Sequence, residues 1–406
     1  MKLHLFNLKN LIYLTVFLSP IYLIKLNIFF LPLNLLDLLL LGVCVGWIVK
    51  NKTASLAKIK KFFKKNKALS LFIFLLITGV SLSLLHADNY LSGLGIIKSW
   101  FVLPILFGFV LNDEIKNLQE THKVLNALFY SSFLMSALGL LFVLTGNLTY
   151  DGRLTAVFLS PNHLAMFLSY GSIIGVSKII LLREKSFLLY FLNLTVLVAL
   201  FFTHSYLAWV GLTIAIILLL TLSNSKNKKT LLAMALMAIF STFLIFEKNS
   251  AKFSDLVNFS ERSSLSSRMM IWRSSLKIAS DHWIWGIGPG NFQNKYLQYQ
   301  QYFPPYLEWA VPQPHNLFLA FYLQTGLIGF LGFILLLIFW IFQKIKILVF
   351  SKDYSTAHLT KILLALITYT LFHGLFDTPY WKNDLALIFW IIIFLKDYPE
   401  KTTKLS

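Results

Sequence analysis

What restricts this chain most is a succession of apolar runs, most of them about 17 to 25 residues long. At the helical rise of about 1.5 Å per residue, one such run crosses the roughly 30 Å hydrocarbon layer of a bilayer. No water is available there to satisfy a bare backbone, so the runs must be helices. Composition agrees: 57% of the 406 residues are hydrophobic and 13% are charged, with a mean hydropathy of +0.71. That is more apolar surface than a soluble core could hide. The expected fold class is an all-α polytopic membrane protein of about twelve transmembrane helices. Their spans are read at 8–24, 32–49, 68–85, 92–111, 124–145, 159–181, 187–203, 205–222, 230–246, 326–343, 359–375 and 383–396.

The formal charge of +19 is mostly a topology signal. Between the second and third runs, KNKTASLAKIKKFFKKNK carries eight lysines in eighteen residues, and positive charge keeps so short a loop in the cytoplasm. Other loops on that side carry Lys116, Lys123, Arg183, Lys185, Lys344 and Lys346, whereas the short outer loops carry only Lys25, Arg153 and Lys382. Both termini are therefore expected inside. No aromatic stacking platform accompanies the lysines, so the expected partners are membrane lipids and not nucleic acid. The N-terminal apolar run lacks a small-residue cleavage site and is read as a retained first helix. A single cysteine, Cys44, leaves no intrachain disulfide.

Residues 1–246 thus hold the first nine helices, 247–314 form a large extracytoplasmic loop, and 315–406 carry the remaining helices. Long loops cross regardless of charge, so the basic residues of the large loop do not overturn the topology. Within it, Met269, Trp272, Leu276, Ala279 and Trp283 follow spacings of three and four, the mark of an amphipathic helix resting on the membrane interface. Arg273 and Lys277 share another side of that helix and face whatever lies at head-group level. GIGPGNF then reads as a Gly-Pro turn, because a dinucleotide fingerprint would need a strand before it.

VPQPHNLFLAFYLQTG follows, placing His315 and Asn316 at the mouth of an apolar helix. A helix start disfavours imidazolium, so His315 is expected to be neutral and able to accept a proton. Arg268 lies in the same loop, Arg153 in YDGRLTAVFLSPNHLAMF, and His373 and Asp377 in FHGLFDTPYWKND, all expected on the outer side. Two arginines and a neutral histidine are well suited to gripping a pyrophosphate while deprotonating an incoming hydroxyl. Asp88, Asp151, Asp255, Glu261 and Glu308 are scattered without ligand-like spacing, so no metal or other cofactor is expected.

Ser267-Arg268, Trp272, DHWIWGIGPGNF and HNLFLAFYLQTGLIGF, in that order, resemble the characteristic region of the O-antigen ligase and O-antigen polymerase superfamily. GRLTAVFLSPNHLA is similar to the family's upstream Arg and Pro-Asn element, and FHGLFDTPYW to its C-terminal one. The resemblance implies a glycosyltransferase of the bacterial inner membrane that uses a polyprenyl-diphosphate-linked glycan donor at the extracytoplasmic face, without a metal. In the ligases the acceptor is a lipid A core sugar; in the polymerases it is another lipid-linked repeat unit. Carried over by position, Arg268 binds diphosphate, His315 is the base beside Asn316, and Arg153 assists with the donor. The chain departs from the family at FFTHSYLAWVGL, where Tyr206 follows Ser205 in place of the usual arginine. His204 or Arg153 would have to supply that contact. A transporter for an anionic lipid-linked solute could use the same cations. It would be expected to place polar groups near mid-membrane, where Lys98 and Lys178 are the candidates and can snorkel out.

Overall fold

A computed structural model describes residues 7–28, 31–223, 254, 258, 263–303, 311–350 and 354–397. The expected span at 230–246 and most of the first part of the large loop lie outside the described residues. Ten helices precede that region: α1 (Leu8–Phe17), α2 (Leu35–Asn51), α3 (Ala54–Lys65), α4 (Lys67–Leu84), α5 (Tyr90–Ile96), α6 (Leu103–Glu114), α7 (Leu118–Leu144), α8 (Pro161–Ile180), α9 (Phe187–Phe202) and α10 (Tyr206–Thr221). After it come α11 (Ser264–Asp281), α12 (Phe292–Tyr299), α13 (Leu317–Phe350), α14 (Tyr354–Gly374) and α15 (Asn383–Phe394). A π-helical turn, Ile97–Val102, joins α5 to α6.

Among the described residues five stretches are both long and apolar enough to cross a membrane: Lys67–Leu84, Tyr90–Glu114, Leu118–Leu144, Pro161–Ile180 and Leu317–Phe350. Four more apolar helices are shorter, and at about 1.5 Å per residue the ten residues of α1 and the twelve of α15 fall well short of a full crossing. Among the described residues the helix lengths therefore agree with an all-α polytopic membrane protein, five of the helices being long enough to cross by themselves. Large apolar side chains face outward along the bundle, among them Val49, Phe74, Leu194, Ile338 and Phe342. In water such a surface would be a liability, but against lipid tails it costs little. This is a multi-pass membrane protein.

Two local features depart from the sequence reading. Lys25–Ile28 pairs antiparallel with Leu31–Asn34, so an expected loop holds a small hairpin, and Asn34 then caps α2 by accepting from the Asp37 amide. The eight-lysine stretch is not a plain loop either. It contains α3, whose Phe62 ring packs against Phe109 and Phe394 and whose Lys58 pairs with Asp113 at 2.8 Å.

The lysine-rich ends do gather at one end of the bundle. Lys9 pairs with Glu120, Lys50 with Glu114 and Lys344 with Asp397. Within the helices, however, Lys98 does not snorkel to a free end, because it meets the fully buried Asp37 at 2.9 Å. His163 likewise meets Asp384, both buried. Asp37, His163 and Asp384 all lie in first helical turns, so these polar pairs belong to the end opposite the lysines rather than to mid-depth.

Helix α13 sets the site. The expected span starts at 326, but the helix starts nine residues earlier at Leu317 and is interrupted at Gly326, where φ is 66° and ψ is −178°. The GIGPG turn fills the interruption. The Leu323 carbonyl accepts from the Ile287 amide at 2.7 Å, and the Leu327 amide donates to the Ile284 carbonyl at 2.8 Å. Gln324, fully buried, accepts from the Gly290 amide and donates to Gln313. Helix bonds lost at the break are thus replaced from the loop, as a buried backbone requires. Below the break α13 crosses α4 on small residues: a Cβ at Gly79 would lie 2.1 Å from the Gly329 nitrogen. Side chains larger than hydrogen cannot fit there, so Gly79→Leu is expected to abolish accumulation of folded protein, read by size-exclusion profile in detergent.

Candidate active site

The site is organised by three consecutive residues in the connection between α14 and α15. The Leu375 carbonyl accepts from Asn316 Nδ2 at 2.9 Å. The Phe376 carbonyl accepts from Arg268 Nε at 2.8 Å. The Asp377 carboxylate accepts from His315 Nδ1 at 3.2 Å and from the Thr378 amide at 2.8 Å. One short turn therefore fixes three residues chosen from distant parts of the sequence.

Each of those residues is also held from its own element. Asn316 is the N-cap of α13, its Oδ1 accepting from the Leu319 amide at 3.0 Å. His315, just before the cap, has φ of 47°, a conformation that costs a non-glycine residue about 1 kcal/mol or more and is found where a side chain must be aimed. Its carbonyl accepts from Trp272 Nε1 of α11. Arg268 extends from the first turns of α11, where Nη1 also donates to the Ser264 carbonyl.

Arg153 approaches from the other side. Its Nε donates to the Thr203 carbonyl at 2.8 Å and its Nη2 to Asn162 Oδ1 at 2.7 Å. Nη1 stands 3.8 Å from Asp151. Asn162 lies in the first turn of α8, after the cap Ser160 and Pro161, and its Nδ2 reaches Asp377 Oδ2 at 3.3 Å. The chain Arg153, Asn162, Asp377, His315 is therefore continuous. Between the two arginines lies a cleft of about 380 Å³, lined by Arg153, Asn162, Ser205, Tyr206, Leu207, Ser264, Arg268, His373 and Asp377. His373 Nδ1 meets the Tyr369 hydroxyl, while its Nε2 is buried and has no hydrogen-bond partner among the described residues.

Burial alone would push the Asp377 carboxyl up, but His315, His373 and Arg268 around it hold it well below the usual carboxylate range. An ionised carboxylate can only accept, so the proton in its bond with His315 sits on Nδ1 and the lone pair is left on Nε2. The ring of His315 is thus oriented by this carboxylate as well as by its place before the helix start.

Of the candidates, Arg153 and Arg268 form walls of the cleft, and His315 stands behind one wall, joined through Asp377. Asn316 is a cap tied to the same turn. Arg273 is exposed on α11 and does not line the cleft. His204, with φ of 45°, is likewise not part of the lining, although its neighbours Ser205 and Tyr206 are. At Tyr206, where the resemblance leads one to expect an arginine, this cleft has a tyrosine among its lining residues, together with Arg153. Met269, Leu276 and Trp283 of the expected stripe are exposed, while α11 packs inward through Ser267, Ile271, Ser274 and Ile278. A helix is thus present at the expected place, with its larger apolar side chains outward.

Sequence reasoning singled out Asp377 only as part of an outer cluster and did not assign Asn162 a role. Asp377 is 62 positions from His315, and no local spacing announces such a pair. Residues 191–334, from α9 to the middle of α13, match a family model described as O-antigen ligase. No curated protein matches the chain. The matched stretch covers about a third of this multi-pass membrane protein, contains Tyr206, Arg268 and His315, and supports the resemblance to the O-antigen ligase/polymerase superfamily.

Proposed function

We propose that the protein is a membrane glycosyltransferase of O-antigen ligase type, moving a glycan from a polyprenyl-diphosphate carrier to a sugar hydroxyl of a lipid A core. The observation that carries this reading is the Leu375–Asp377 turn, which holds the His315 base and the Arg268 cation together and faces Arg153 across the cleft. In this reading the cleft end is extracytoplasmic, the membrane is the bacterial inner membrane, and twelve helices cross it.

The donor diphosphate sits between Arg153 and Arg268, whose Nε–H groups are spent on backbone carbonyls and whose N–H groups not bonded to Asn162 or Ser264 turn to the anion. His315 Nε2 accepts the proton of the acceptor hydroxyl as its oxygen forms a bond to the anomeric carbon. The bond from that carbon to the phosphate oxygen breaks. The electron pair goes to the polyprenyl diphosphate, whose gathering charge the two arginines stabilise more than they stabilise the substrate. The proton on His315 then passes to the departing diphosphate or to water.

Product identification tests this reading. Glycan joined to lipid A core supports it; a lengthened glycan still on polyprenyl diphosphate assigns the protein to the polymerases instead. Uptake into sealed vesicles without covalent transfer would replace both with transport. Arg268→Ala is expected to lower kcat/KM for transfer by about 10² to 10³, the range for losing one donor at a developing charge. Arg268→Lys should recover only part of it, because an ammonium cannot bond Phe376 and the phosphate in the same plane. Because arginines supply the charge, transfer should persist in excess EDTA. Loss of turnover on chelation, restored by magnesium, would overturn the metal-free mechanism.

A further inference from the structure

A second cavity, of about 710 Å³, opens at the other end of the bundle, walled by Leu181, Leu182, Arg183 and His358. Its position follows from the helices. Asn162 and Leu181 lie at opposite ends of α8, which at 20 residues is about 30 Å long. His373 and His358 are likewise four turns apart on α14. The cleft and this cavity therefore do not share a wall.

Basic side chains, Arg183 and Lys361 with two histidines, converge on the cavity from three elements. Arg183 comes from the α8–α9 connection, His358 and Lys361 from the first turns of α14, and His122 from the start of α7. His358 senses the charges of Lys361, Arg183 and His122. It and Lys361 are both nearly buried. The facing acid among the described residues is Glu184, which is paired with Lys178 at 3.3 Å. The N-termini of α7 and α14 point to the same end and add their partial positive charge.

Arg183 is held in an unusual way. Its φ is 56°, a conformation in which glycine is the inexpensive choice, two residues beyond the α8 cap Leu181, and the Glu184 amide donates back to the Lys178 carbonyl. An arginine there bears strain that glycine would avoid, and gains a guanidinium aimed at the cavity mouth. Beside it the surface turns apolar, with Phe187 and Leu188 exposed at the start of α9. A cationic recess next to an exposed apolar strip fits an amphiphile with an anionic head.

We infer that this cavity holds the phosphate head group of an anionic phospholipid, its acyl chains lying along Phe187 and Leu188. The site does not depend on the reaction assigned to the cleft. The test uses the full-length protein in detergent, with phosphatidylglycerol or phosphatidylcholine added and retained lipid counted by native mass spectrometry. Phosphatidylglycerol should be retained in preference, and Arg183→Gln should weaken it on the order of tenfold. Lys60→Gln/Lys64→Gln on α3 should change it less than twofold, and inorganic pyrophosphate should not displace it. Arg183 is exposed, so its variant should keep the unfolding temperature of the parent; His358→Gln provides an independent second variant. Equal retention of the two lipids, unchanged retention in both variants, an equal loss in the α3 variant, or displacement by pyrophosphate would each overturn the assignment.

Discussion

His315→Ala should leave a folded protein whose transfer rate is lower by about 10² to 10⁴, the contribution of a positioned general base. The more informative variant is Asp377→Asn. Asn is nearly isosteric: with its amide nitrogen in the place of Oδ1 its oxygen still accepts from Asn162, the bond from the Thr378 amide is given up, and the Leu375 and Phe376 carbonyls keep Asn316 and Arg268, so the turn should stay folded. Its amide can also donate, which the carboxylate cannot, and that permits the tautomer with the lone pair on Nδ1. Nε2 would then carry the proton and could no longer accept one. The loss in kcat should approach that of His315→Ala while KM for the lipid-linked donor changes little, because neither arginine has moved. Double-variant kinetics decide the matter: if both residues serve one proton transfer, the combined loss should be no larger than the greater single loss. Multiplying losses would mean that Asp377 acts on the substrate by itself. Unimpaired transfer by well-expressed His315→Ala would remove the histidine from the chemistry.

The sign of acid sensitivity follows from the same carboxylate. The Asp377 pKa in the folded protein lies below its unfolded value. The stability it contributes is therefore fully present above the ordinary carboxylate range and is lost as pH falls towards the folded value. Denaturation near neutral pH should not differ between the parent and Asp377→Asn in its pH slope. A difference should open only below about pH 4, where an unfolded carboxylate begins to bind protons.

Helices were legible from the sequence because lipid leaves the backbone no alternative, and a long apolar run needs no tertiary information to be read. The arginines and His315 were legible for a related reason: polar groups at the edge of so apolar a chain are few, and each costs enough to need a purpose. Contacts between distant segments were not. The carboxylate that directs His315, the Asn162 bridge and the carbonyls that hold the guanidinium come together only after four helix starts meet. Arg273 illustrates the converse. Its spacing was as favourable as that of Arg268, but five residues along a helix is a rotation of about 140°, which carries it from the cleft wall to the exposed side. Span lengths failed for a different reason, since apolar composition does not show where a helix yields to a turn, a hairpin or a break.

Gly326 is such a break, hidden in LQTGLIGF, which reads as unbroken apolar helix. Its φ of 66° with ψ of −178° belongs to a region essentially reserved for glycine, and a Cβ there would lie 2.7 Å from the carbonyl oxygens of both Ile284 and Trp285. Those are backbone atoms and cannot turn aside. Gly326→Ala should therefore cost about 2 to 6 kcal/mol, adding backbone strain to overpacking. The damage should be directed. The GIGPG turn follows α11, which carries Arg268, and plugs the helix that carries His315, so expelling it separates the two residues that the Leu375–Asp377 turn brings together. Limited proteolysis should cut the variant first between Trp283 and Asn291, and transfer should fall with the fraction cut. Gly42→Ala is the control, since a Cβ there meets nothing within 4 Å and a helical alanine is more stable than glycine by about 1 kcal/mol. If Gly326→Ala unfolds at the same temperature as Gly42→Ala and resists protease equally, the helix break is incidental and the rigidity of the site must come from the α14–α15 turn alone.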